Sequence, residues 1–297
     1  MMKTILPSEV SVGQLHQTLL GAVAPRPIAF ASTIDEEGRP NLSPFSFFNV
    51  FSANPPILIF SPARRGRDNT TKHTYENVKR VKECVINVVN YDIVQQMSLS
   101  SVEYPAGVNE FVKAGLTALA SDHVKPFRVK ESPVQIECKV NEVIELGPNG
   151  GAGNLVICEV LAIHIDESVL DENGKIDAYK LDLVARMGGD WYTRARNGMF
   201  EVPKPNEKLG IGVDLIPADI RSSKVLTGND LGMLGNVQQL PDETSVNEYK
   251  LTELADLFIE HEGNATELEH QLHMRAQQLL QEKNIQEAWM TLLSFNN

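Results

Sequence analysis

The chain has 297 residues, 42% hydrophobic and 22% charged, with a formal net charge of −12. This is the make-up of an ordinary soluble globular protein with room for one large domain or two modest ones. It has no apolar run of the roughly 18 residues a membrane span needs, and its one basic cluster is a short loop, which argues against nucleic acid and membrane as partners.

The opening, MMKTILPSEVSVGQLHQ, lacks an apolar core of secretory length and a small-residue cleavage site, so a cytoplasmic location is expected. Residues 8–22 read as a short helix leading to Pro25. From Pro25 to Lys72 three apolar runs, APRPIAFASTI, NLSPFSFFNVF and PPILIFS, are bounded by Pro, Gly, Asn and Asp. That is the pattern of β-strands joined by tight turns, with an exposed turn at 35–40. Helical spacing follows over 74–83, then a strand, CVINVVN, and a short helix in YDIVQQMSLSS. Residues 102–130 are broken by Pro105, Gly107, Gly115 and Pro126 and read as an irregular connection. Residues 133–146 and 154–165 alternate around GPNGGAGN and form the clearest hairpin. Cys84, Cys138 and Cys158 all lie in strand-like runs, at separations that suit buried thiols rather than a metal site.

A domain boundary is expected at 204/205. Residues 205–297 hold 15 acids against 6 bases, and residues 1–204 hold 24 against 21. Helical spacing marks 219–226, 251–262 and 265–293 in the acidic part, with a break at Asn284. Gly228-Asn229-Asp230-Leu231-Gly232 reads as a loop. His270 and His273 lie three apart after Glu269, but with no third ligand a solvated helix face is expected. His123 and His164 read as structural. No nucleophile elbow is present, and the glycines of 147–153 join two strands rather than opening a helix, so a dinucleotide fold is excluded there.

Two stretches carry chemistry. Phe45, Phe47, Phe48 and Phe51 stand among Ser43, Ser46 and Asn49. These groups can stack on and hydrogen-bond a flat polar ring, or simply form a strand that buries one aromatic face. Between Pro62 and Lys72, Arg64, Arg65, Arg67 and Lys72 face the single acid Asp68, with Asn69, Thr70 and Thr71 beside them and a helix opening next. Cations, hydroxyls and helix-start N–H groups are the ingredients of a phosphate site, and a solvated basic loop is the alternative.

The order R-P-I-A-x-x-S-T-x-D-x-x-G-x-x-N-x-S-P-F-S-x-F, then P-P, a serine-ended strand and a basic Thr-containing loop, resembles the flavin reductase-like FMN-binding split-barrel family. Arg186-Met-Gly-Gly189 and Tyr192 resemble that family's late R-x-G-G-x-x-Y segment, so the likeness spans roughly residues 15–203. It implies a mainly β fold with helices, an antiparallel split β-barrel over 1–204, with the acidic, mainly helical extension beyond. It implies FMN held by Ser43, Phe45, Ser46, Phe47, Ser61, Arg67, Asn69, Thr70, Thr71 and Lys72. Arg186 and Tyr192 would serve the flavin of a neighbouring subunit in a homodimer. Within the basic loop, Arg67 and Lys72 are expected on the phosphate, and at least one of Arg64 and Arg65 is expected to be solvated. No catalytic side chain is required, because the flavin carries its own redox chemistry. The activity implied is reduction of flavin by NADH or NADPH. The alternatives are an electron carrier that never meets a nicotinamide and a non-catalytic FMN-binding protein whose acidic tail recruits a partner.

Overall fold

The structure, a computed structural model, describes residues 1–203 and 209–296. The chain divides into two compact units, Met1–Phe200 and Glu201–Asn297. The boundary expected at 204/205 lies outside the described residues.

The first unit opens with a helix, α1 (Val12–Ala22), held at its start by a reciprocal Ser11/Gln14 capping box. Strands β1 (Ala29–Ile34), β2 (Pro40–Phe45), β3 (Phe48–Ala53) and β4 (Pro56–Phe60) follow. Then come helix α2 (His73–Arg80), strand β5 (Glu83–Val88) and the short helices α3 (Val94–Leu99) and α4 (Glu110–Ala114). A two-residue pair, β6 (Ala118–Leu119) and β7 (Arg128–Val129), leads to the long hairpin β8 (Val134–Glu145) and β9 (Asn154–Ile165). One turn of helix, α5 (Ala178–Leu181), precedes a small hairpin, β10 (Val184–Arg186) and β11 (Tyr192–Arg194).

Seven strands form one antiparallel sheet in the order β2-β1-β5-β8-β9-β4-β3. β2 and β3 are consecutive in the chain yet lie at opposite edges. With only Ser46 and Phe47 between them, the two edges must come side by side there. The sheet is therefore rolled into a barrel left open along one seam, a split β-barrel. The second apolar run, expected as one strand, is two strands for this reason, and the seam falls between Phe45 and Phe48.

Alternation along β1 feeds two cores. Ala29 and Ala31 point into the barrel with Phe45, Leu58, Phe60, Ile86 and the three buried cysteines. Ile28 and Phe30 point out, beneath α3 and α4, with Leu42, Met97 and Phe111. β1 is thus buried along its whole length, its polar Ser32 and Thr33 included.

The second unit is helical: α6 (Ala218–Arg221), α7 (Gly228–Leu234), α8 (Glu243–Glu253), α9 (Ala255–Glu260), α10 (Ala265–Gln281) and α11 (Ile285–Leu293). Its core gathers Ile220, Leu234, Leu280 and Leu292 about the fully buried Trp289, whose Nε1 donates to the Leu234 carbonyl at 3.1 Å. Gly228–Gly232, expected as a loop, is the start of α7. Thr227 and Asp230 cap each other's backbone N–H groups there, which offsets the two glycines. The expected solvated histidine face is half wrong. His270 is exposed, but His273 is buried and its Nδ1 lies 2.8 Å from Ser223 Oγ. Burial lowers the His273 pKa.

Candidate functional site

The basic loop leaves the end of β4 at Ser61. It is braced from behind by the tip of the β8–β9 hairpin: Arg64 N–H donates to Ala152 O at 2.8 Å, and Gly151 N–H returns to Arg64 O at 3.0 Å. A side chain at Gly150 would sit 3.0 Å from the Arg65 carbonyl oxygen, and one at Gly153 would sit 2.9 Å from Ser61 Oγ. The glycines that exclude a dinucleotide motif are there to let one loop lie against another. Ser61 is buried, its Oγ accepting from Asn154 N–H at 3.0 Å.

Within the loop the short polar residues hold shape. Asn69 adopts φ 58°, a left-handed conformation that Asn tolerates. Its Oδ1 accepts from Arg64 Nε at 2.7 Å and its Nδ2 donates to Pro148 O at 3.0 Å. Thr70 Oγ1 donates to Asp68 at 2.7 Å and accepts from Arg65 at 3.0 Å. The Thr70 hydroxyl and N–H hold the Asp68 carboxyl down to about 2. Thr71 Oγ1 donates to Glu76 at 2.5 Å.

Three cations then converge on one carboxylate. Glu103 accepts from Arg65 Nε at 2.7 Å and from Arg67 Nη2, and Lys72 Nζ lies 3.5 Å away. These charges, the Arg65 hydrogen bond first, hold the Glu103 pKa below its usual value. Arg65 and Lys72 line a shallow, open cleft with Ser43, Thr74 and Glu103. α2 starts beside it without a side-chain cap, leaving first-turn N–H groups for an anion. The expectation that Arg64 or Arg65 is solvated is not met, since Arg64 is bound by Asn69 and the Arg65 side chain is only 15% exposed. Arg67, at 70%, is the outermost of the cations meeting Glu103.

The aromatic segment divides at the seam. Phe45 turns into the barrel core, its ring 5.4 Å from that of Phe60, while Phe47 stays exposed with its edge toward His16. Ser43 faces the cleft. Ser46 Oγ lies 3.4 Å from Arg26 Nε, a residue not singled out from sequence. Arg26 also donates to the Leu20, Val23 and Met187 carbonyls, and its backbone bridges that of Arg186. Arg186 in turn donates to Tyr192 Oη at 2.6 Å across the β10–β11 hairpin. Gly188 packs against the backbone of Gly21 in α1, where a Cβ would make ordinary contact at 3.4 Å, while Gly189 adopts a left-handed φ of 58°.

Elsewhere, Asp122, Glu137 and His164 come close enough to hold a metal ion. The Glu137 oxygens are already taken by the N–H groups of Asp122, His123 and Val124 and by His164 at 2.7 Å. Arg128 lies 3.7 Å from Asp122. The trio reads as a structural network centred on the buried Glu137.

Residues 21–180 match the model of the flavin reductase like domain. The chain belongs to the flavin reductase-like family. Its members are flavin-related oxidoreductases, and the split barrel described above is their fold. An uncharacterized protein of Aquifex aeolicus is 40% identical over 181 residues, 61% of this chain and 90% of that one. The crystal structure of nitrilotriacetate monooxygenase component B from Bacillus cereus superposes with a TM-score of 0.64 at 29% identity. The match covers 68% of this chain and 99% of that one. A putative flavin reductase with a split barrel domain from Shewanella frigidimarina gives a TM-score of 0.56 at 27% identity, covering 66% and 95%. The family match ends well before the second, helical unit.

Proposed function

We propose that the chain is an FMN-binding flavin reductase that takes electrons from NADH or NADPH and works as a homodimer. The observation that carries this is the convergence of Arg65, Arg67 and Lys72 on a single carboxylate beside the uncapped start of α2. A carboxylate there stands in for one edge of a phosphate, so the donor set fits the FMN monoester. Bound FMN would accept hydride from the nicotinamide and pass electrons to a second acceptor. Arg65 and Lys72 bind the phosphate, and Asn69, Thr70 and Thr71 fix the loop that presents them. Ser43, Ser46 and Phe47 border the ring at the barrel seam, with Ser61 at the strand end. Phe45 supports that border from the core, and Arg26 positions Ser46.

α1 buries none of its own residues, and Val50 and Phe51 stand exposed on the edge strand β3. An apolar helix with no buried residue and an exposed sheet edge suit contact with a second copy. Arg186 and Tyr192 would then face the partner's flavin. Purified protein should turn yellow with FMN, and rapid mixing of that complex with NADH and NADPH should bleach the flavin band. Bleaching by neither would leave an electron carrier, and failure to take up FMN would remove the proposal.

A further inference from the structure

Glu103 belongs to residues 101–107, an exposed stretch apart from Tyr104, slung between the buried Ser100 and Glu110. Backbone bonds in the stretch are local, such as Tyr104 N–H to Val102 O and Val108 N–H to Pro105 O. Among the described residues, the hydrogen bonds that tie 101–107 to anything beyond its own neighbours are those of Glu103 to Arg65 and Arg67. Beside the ring of Tyr104, which Lys113 Nζ approaches at 5.8 Å, one side chain therefore holds the stretch by hydrogen bonds and also neutralises the cations lining the cleft.

We propose that Glu103 is an internal anion that occupies the phosphate site in the free protein and is displaced by the phosphate of the incoming ligand, releasing residues 101–107. This rests on the phosphate-site assignment above. Two anions cannot share three cations without mutual repulsion, and a phosphate monoester carries up to twice the charge of a carboxylate with three acceptor oxygens. The monoester wins, at the expense of the Glu103 contacts. Glu103 thus weakens ligand affinity while keeping Arg65, Arg67 and Lys72 gathered until the ligand arrives. An uncharged ligand leaves Glu103 in place.

The test is fluorescence titration of wild type and Glu103→Gln with FMN and with riboflavin at fixed ionic strength. Hydrogen exchange across 101–107 is followed in the wild type with and without FMN. Glutamine keeps the size and loses the charge, so FMN should bind about tenfold tighter in the variant, from the loss of two or three partly exposed ion pairs. Riboflavin affinity should stay the same. Exchange across 101–107 should speed up when FMN binds the wild type. Unchanged or weaker FMN binding in Glu103→Gln, or slower exchange on binding, would overturn the displacement. Arg65→Ala separates the two assignments. If it weakens FMN and spares riboflavin while Glu103→Gln has no effect, the phosphate site stands and the displacement fails. If it treats the two ligands alike, both fail.

Discussion

Arg26 Nε lies 3.4 Å from Ser46 Oγ, although twenty residues separate them in the chain, and the same guanidinium reaches the Met187 carbonyl at 2.8 Å. Only 5% exposed, Arg26 pins the end of α1, the barrel seam and the approach to β11 to one point. Burial first, and then the nearby Arg186, lowers its pKa, though it stays charged.

Arg26→Ala should leave the carbonyls of Leu20, Val23 and Met187 without their donor. The expected loss is about 3 kcal/mol of local stability, from several hydrogen bonds to a charged group in a buried setting. Amide exchange at the Arg26–Arg186 bridge should accelerate by about two orders of magnitude, while the helices of 209–296 keep their protection. Unchanged exchange at the bridge would make the arginine dispensable.

Glu137, fully buried, pairs with His164 and faces Asp122 and Arg128. Desolvation pushes its pKa up, but the N–H groups of Asp122 and His123 and the His164 ring outweigh it, so the carboxyl sits below the ordinary 4.5. A depressed folded pKa gives stability that is complete above the unfolded value and lost as pH falls through the folded one. The barrel should therefore lose stability on acidification below 4.5. Glu137→Gln should be less stable at neutral pH and show a shallower acid limb in urea titrations followed by circular dichroism. An acid limb of unchanged slope would place the sensitivity elsewhere.

Phe51 and Val50 stand outward on β3. With a second copy covering that edge, Phe51→Glu would bury a carboxylate without a partner, a cost of several kcal/mol. Light scattering at micromolar concentration should then report a dimer for the wild type and a monomer for the variant. A wild-type monomer with flavin bound would remove the dimer.

The parts legible in sequence were those set by local pattern. Alternation in 134–145 and 154–165 announced the long hairpin, and the Pro25–Phe60 runs announced the barrel wall. What escaped depended on partners far along the chain. NLSPFSFFNVF reads as one strand because nothing in its composition marks Ser46 as the seam. Arg65 and Arg67 are the same residue type two positions apart. Their different burial comes from the fold of the loop around Asn69 and from Glu103, 38 and 36 residues on. Arg26 stood inside a recognised motif, but its role lies in carbonyls up to 161 residues away. In the helical unit, the Thr227–Asp230 capping box was a readable signal that two glycines masked.

The order of burial among the loop cations predicts an order of effects on FMN. Arg65 and Lys72 line the cleft, while Arg67 is 70% exposed and also paired with Asp68 at 3.2 Å. A charge-assisted hydrogen bond to phosphate contributes roughly 1.5 to 3 kcal/mol, so Arg65→Ala and Lys72→Ala should each weaken FMN by about one to two orders of magnitude. Arg67→Ala should cost less than about tenfold, since an exposed cation is screened by water and salt. Riboflavin has the same ring and no phosphate, so its affinity should be nearly the same in all three variants. Damage to the barrel would instead weaken both ligands together. Raising the salt concentration should narrow the gap between FMN and riboflavin in the wild type and leave little gap in Arg65→Ala. An Arg67→Ala loss larger than that of Arg65→Ala would move the phosphate out of the cleft to the loop's outer face.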